Sequence, residues 1–65
     1  MTNIEQALSA ARGELRHQGL EPSECTVADA EQVLDDMARE GKTAGIWFWN
    51  ATDTEIKRFR KEWKK

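Results

Sequence analysis

Residues 45–50 read Gly45-Ile46-Trp47-Phe48-Trp49-Asn50, and the state assigned to this stretch decides the fold. It contains the longest apolar run in the chain, and its aromatic residues break the helical period that holds on either side. Gly45 and Asn50 flank it as turn residues do. A short aromatic-rich run with such flanks predicts a strand. In a strand, Trp47 and Trp49 point to one side and Ile46 and Phe48 to the other.

Working outward, the spacing predicts three helices. Upstream, Val27, Ala30, Val33, Leu34, Met37 and Ala38 recur on one face from Val27 to Glu40. Thr26 is the expected N-cap, Arg39 suits the last turn, and Gly41 closes the helix. Further back, Ile4, Ala7, Leu8, Ala11 and Leu15 form a narrow apolar face from Asn3 to Gln18. Thr2 and Glu5 have capping-box spacing, and Gly19 is the stop signal. Residues 20–25 are a short connection. Downstream, Thr52 and Glu55 form a second capping box for a helix from Asp53 to Lys64 whose buried stripe is Ile56, Phe59 and Trp63. The expected fold is mainly α, with three short helices and one short strand between the second and third, in the order helix-helix-strand-helix. Residues 1–65 form a single small domain.

A chain of 65 residues is short of core. Such a chain buries only about 60% of its unfolded surface, and small domains usually add a disulfide, a metal or another subunit. Cys25 is the only cysteine and His17 the only histidine, so neither an intrachain disulfide nor a four-ligand zinc site can be assembled. Self-association or a larger partner is the remaining staple. One free cysteine without a signal-peptide pattern suggests a cytoplasmic location. No apolar run approaches the roughly 20 residues that cross a bilayer.

The net charge of −2 conceals a segregation. Residues 1–56 carry 11 acidic and 4 basic side chains, a net −7, and residues 57–65 carry 6 basic and 1 acidic, a net +5. Lys57, Arg60, Lys61 and Lys64 share one face of the third helix, with Arg58 and Lys65 at its flank. Such a stripe suits phosphate groups or an acidic protein surface; it also serves as a solvated face that complements the helix C-terminus. The second helix presents Asp29, Asp35 and Asp36, an acidic face that repels phosphate.

No residue pattern points to catalysis. His17 lies about 140° from Ile4 around the first helix, on the side expected to face solvent, with no nucleophile beside it. Cys25 precedes a helix N-terminus, where a thiol pKa can fall; the simpler role is that of a small half-buried hydrophobe. Gly41 and Gly45 make no phosphate-binding pattern. The expectation is a protein that is not an enzyme and needs no cofactor or metal.

Thr26 to Trp49, TVADAEQVLDDMAREGKTAGIWFW, resembles the recognition helix and first wing strand of a winged helix-turn-helix domain, chiefly in REGK followed by an apolar run. The resemblance covers about a third of the chain. The helix that precedes the turn in that family has no counterpart in residues 20–25. Asp29, Asp35 and Asp36 stand where readers of DNA bases carry Arg, Lys, Asn or Gln. The resemblance therefore implies a scaffold turned to protein binding, and it transfers no site residues.

These features lead to the expectation of a small protein-binding regulator or inhibitor that occludes a surface of a larger partner. Its acidic face would also suit mimicry of nucleic acid. Small stand-alone domains of this charge pattern are common among phage and mobile-element accessory proteins, an association of size and style. The expected contacts are Trp47 and Trp49 on the strand, Lys57, Arg60, Lys61 and Lys64 on the third helix, and Asp29 and Asp36 on the second. A homodimer is also expected as a possibility, because a lone strand leaves its edges open. The alternatives are a nucleic-acid-binding regulator using the basic helix, as a dimer, and a structural oligomer subunit. A membrane partner is not expected.

Overall fold

The computed structural model describes residues 3–64. They form four α-helices: α1 (Ile4–His17), α2 (Val27–Arg39), α3 (Thr43–Asn50) and α4 (Asp53–Trp63), with a 3-10 helix over Pro22–Glu24. The expected strand does not form. Residues 45–50 are the body of α3, and among the described residues there is no strand at all.

Two local motifs set up this outcome. At the end of α2, Gly41 takes φ +79°, its N–H donates to the Ala38 carbonyl, and the Lys42 N–H donates to the Met37 carbonyl. This is the Schellman arrangement, and it needs a residue that tolerates left-handed backbone. Lys42 then returns to extended backbone and α3 begins at the next residue. The short connection brings α3 straight back against α2.

The second motif is Gly45, whose missing side chain lets α3 lie on the α2 backbone. A Cβ there would sit 2.6 Å from the Leu34 carbonyl oxygen and closer still to the Ala38 nitrogen. The glycine that reads as a strand flank in the sequence is a point of helix–helix contact. A lone strand would also leave its N–H and C=O groups unpaired, whereas a helix satisfies them within itself. Once helical, the apolar run divides differently. Ala44, Gly45, Trp47 and Phe48 turn inward, and Ile46, Trp49 and Asn50 turn outward.

The other helices match their local signals. Thr26 and Asp29 form a reciprocal capping box on α2, with N···O distances of 3.0 and 3.3 Å. Thr52 and Glu55 do the same on α4 at 3.1 and 3.2 Å. On α1 the box is made one residue later than expected, by Asn3 and Gln6 at 3.0 and 2.9 Å; Thr2 lies outside the described residues. The α1 C-terminus repeats the α2 arrangement, with Leu20 N–H donating to the Leu15 carbonyl.

The core is assembled around Phe59, which is fully buried. Its ring lies 6.2 Å from Trp47, 6.5 Å from Phe48 and 6.1 Å from Trp63, within the range of favourable aromatic pairs. Ala7, Ala11, Leu15, Ala30 and Leu34 close it from α1 and α2. The Trp63 Nε1–H donates to the Cys25 carbonyl at 3.1 Å, and the Arg12 guanidinium stands 5.3 Å from the Trp63 ring centroid. Trp63 thereby ties α4 to α1 and to the connection before α2.

Candidate protein-binding surfaces

Three surfaces carry the side chains singled out above. The first is the outer edge of α3. Ile46 and Trp49 lie three residues apart on a helix, so they are neighbours on one face. They are 43% and 54% exposed, and with Leu20 they are the large hydrophobic residues left open to solvent among the described residues. Trp49 is nevertheless held in place. Its Nε1–H donates to the Asp35 carboxylate at 2.8 Å, and the same carboxylate pairs with Arg39 at 3.0 Å.

Trp47 does not share this edge. In a helix it is turned about 160° from Trp49, and it packs half-buried against Phe59. The two tryptophans expected on one face are therefore divided, one into the core and one to the surface.

The second surface is a groove of about 480 Å³ between the C-terminal end of α1, the connection after it and the outer side of α2. Leu15, Leu20 and Val33 supply its apolar lining, while Glu21, Glu24, Asp29 and Asp36 stand around it. The expected acidic face of α2 is thus split. Asp29 and Asp36 face the groove, whereas Asp35 turns to α3 and Glu31 turns to α4, where it pairs with Arg60 at 3.2 Å. Asp29 also serves the α2 cap, and Asp36 accepts from the Gln32 amide at 3.3 Å.

The third surface is the basic side of α4. Lys57, Lys61 and Lys64 are exposed and, among the described residues, have no ion pair. Arg60 belongs to the same stripe but is drawn to its edge by Glu31. The eight expected contact residues are consequently not one site. Trp49 lies on the α3 edge, Asp29 and Asp36 border the groove, the lysines line α4, and Trp47 is internal.

His17 is exposed in the last turn of α1. Cys25 is half-buried at the end of the 3-10 helix, and its thiol donates to the Glu21 carbonyl with a 3.4 Å S···O distance. Burial raises the thiol pKa above its ordinary value, and the carboxylates of Asp29, Glu24 and Glu21 raise it further. The net shift is upward, with burial its first cause, so proximity to a helix N-terminus does not activate this cysteine. Among the described residues no group of three or more His, Cys, Asp or Glu side chains could hold a metal ion, and no helix is long and apolar enough to cross a membrane.

Two elements of these surfaces escaped the sequence. Nothing marks Asp35 as the partner of Trp49, fourteen positions away. The groove depends on Leu20, whose only local signal is its place directly after the closing Gly19. Comparison with protein-family models, with curated proteins and with solved structures finds no match for this chain.

Proposed function

We propose that the protein is a small non-enzymatic protein-binding regulator or inhibitor, of the phage or mobile-element accessory type, that occludes a surface of a larger partner. The observation that carries this reading is Trp49: more than half exposed, yet fixed by a hydrogen bond to Asp35. Tryptophan is enriched at interface hot spots. A side chain already held in one orientation loses less conformational freedom on binding. Ile46 beside it extends the apolar contact. The open edge of a strand no longer argues for a homodimer, because residues 45–50 satisfy their own backbone.

The test is site-specific photo-crosslinking in the native host, with the crosslinking residue at position 46 and, as control, at the exposed Ser9 on α1. The expected result is one protein captured from position 46 and not from position 9, lost on Trp49→Ser while the helical circular dichroism persists. Equal capture from both positions overturns the reading.

A second reading draws on a separate observation, the three lysines of α4 that have no ion pair among the described residues. They suit phosphate contacts, and a nucleic-acid-binding role would then rest on α4. Its signature is an affinity for DNA or RNA whose logarithm falls linearly with the logarithm of salt concentration.

A further inference from the structure

We infer that the groove between the end of α1 and the outer side of α2 is a docking site for a basic segment of the protein partner, one that inserts a single apolar side chain between flanking lysines or arginines. This rests on the protein-binding reading above and adds a second contact on a different side of α2 from Trp49.

The groove combines an apolar floor with an acidic border. Its volume of about 480 Å³ lies within the usual range for small binding sites. Leu20 is the decisive floor residue. It is 49% exposed and held by its N–H bond to the Leu15 carbonyl, so its side chain stands open at the groove. An apolar side chain seated against Leu20 would remove its exposed surface from water, with the already buried Leu15 and Val33 behind it.

The charge argument separates this groove from the rest of the molecule. The carboxylates on the other side of α2 are already matched: Glu31 by Arg60, and Asp35 by Arg39. Among the described residues Glu21, Glu24, Asp29 and Asp36 have no ion-pair partner, and no lysine or arginine lines the groove. Four carboxylates around one apolar floor complement an occupant with cations on both sides of an apolar residue. Long basic side chains can also lay their aliphatic stems along such a floor while the charged ends meet the border. Nucleic acid carries the wrong sign for this site.

The test is a titration of the full isotope-labelled chain, followed by backbone amide NMR, with the capped peptide Arg-Lys-Leu-Lys-Arg. Control peptides replace the leucine by glycine or the basic residues by glutamate. The expected result is saturable shifts at Leu20, Cys25, Gln32, Val33 and Asp36, with at least about tenfold weaker binding for the glycine peptide and no binding of the glutamate peptide. Leu20→Ser should weaken binding to a similar extent. Asp36→Lys, an exposed change that leaves the floor intact, should weaken it several-fold at low salt and less at high salt. Trp49→Ser should leave this titration unchanged, which keeps a failure of the groove distinct from a failure of the α3 edge. Equal binding of the glycine peptide, shifts centred on α3 or α4, shifts that depend on protein concentration without peptide, or no shifts would each overturn the assignment.

Discussion

Gly45 of α3 rests against the backbone of Ala38 of α2, so closely that even a methyl group has no room. This contact makes an unusual mutational sign. Glycine to alanine within a helix normally stabilises by up to about 1 kcal/mol. At Gly45 the added methyl meets backbone atoms that cannot rotate away. We expect Gly45→Ala to destabilise the fold by about 2–3 kcal/mol through overpacking. Gly13→Ala, with nothing within 4 Å of the added Cβ, should stabilise it by up to about 1 kcal/mol. Urea unfolding of the two variants measures both. A neutral Gly45→Ala would mean that α3 does not lie on α2 in this way.

Asp35 should matter to binding more than to folding. Its hydrogen bond to Trp49 and its pair with Arg39 are both at the surface. Exposed interactions of this kind contribute roughly 0–1 kcal/mol. Asp35→Ala is expected to change stability by less than about 1 kcal/mol, to move the Trp49 indole N–H resonance, and to weaken capture of the partner. An unchanged indole resonance would show that the hydrogen bond does not orient the ring.

Cys25 leads to a pH dependence. Its folded-state pKa is raised above the ordinary value of 9.0, first by burial and then by Asp29, Glu24 and Glu21. The folded state thus holds the proton more tightly than the unfolded chain does. The associated stability is fully present below pH 9.0 and is lost as pH rises through the higher folded value. Thermal melts between pH 7 and 10.5 should show a decline that Cys25→Ser reduces. At pH 8, a disulfide reagent should react more slowly with the folded protein than with the chain in urea, because less thiolate is present. Faster reaction in the folded state would reverse the assigned direction.

The α4 lysines can be tested without touching the core. Lys57→Glu with Lys61→Glu reverses two exposed charges and leaves Phe59 and Trp63 buried. Stability should change by no more than about 0.5 kcal/mol per site. If α4 engages an acidic surface, association slows, most strongly at low salt. Binding that is the same at all salt concentrations would leave the stripe as a solvated face.

Three of the four helices and most of the core are legible in the sequence, because their signals are local. Thr26 reads as an N-cap on its own, and the capping box of Thr52 and Glu55 involves residues three apart. The stripes ending in Ala38 and Trp63 repeat at the helical period over several turns, and Gly41 marks the α2 stop by the one conformation it alone adopts easily. Residues 43–50 carry no such information. A continuous apolar run of four has no period, so strand and helix fit it equally well. Tertiary structure decided its state, through the close seat of Gly45 on the α2 backbone. The same contact decided that Trp47 joins Phe59 while Trp49 reaches Asp35. It was also tertiary packing that turned Glu31 to Arg60 and Asp35 to Trp49, leaving Asp29 and Asp36 at the groove, whereas the Asp35–Arg39 pair is a local i,i+4 contact within α2. Periodicity reveals which residues share a face of their own helix; only the placement of the neighbouring helices determines what that face meets.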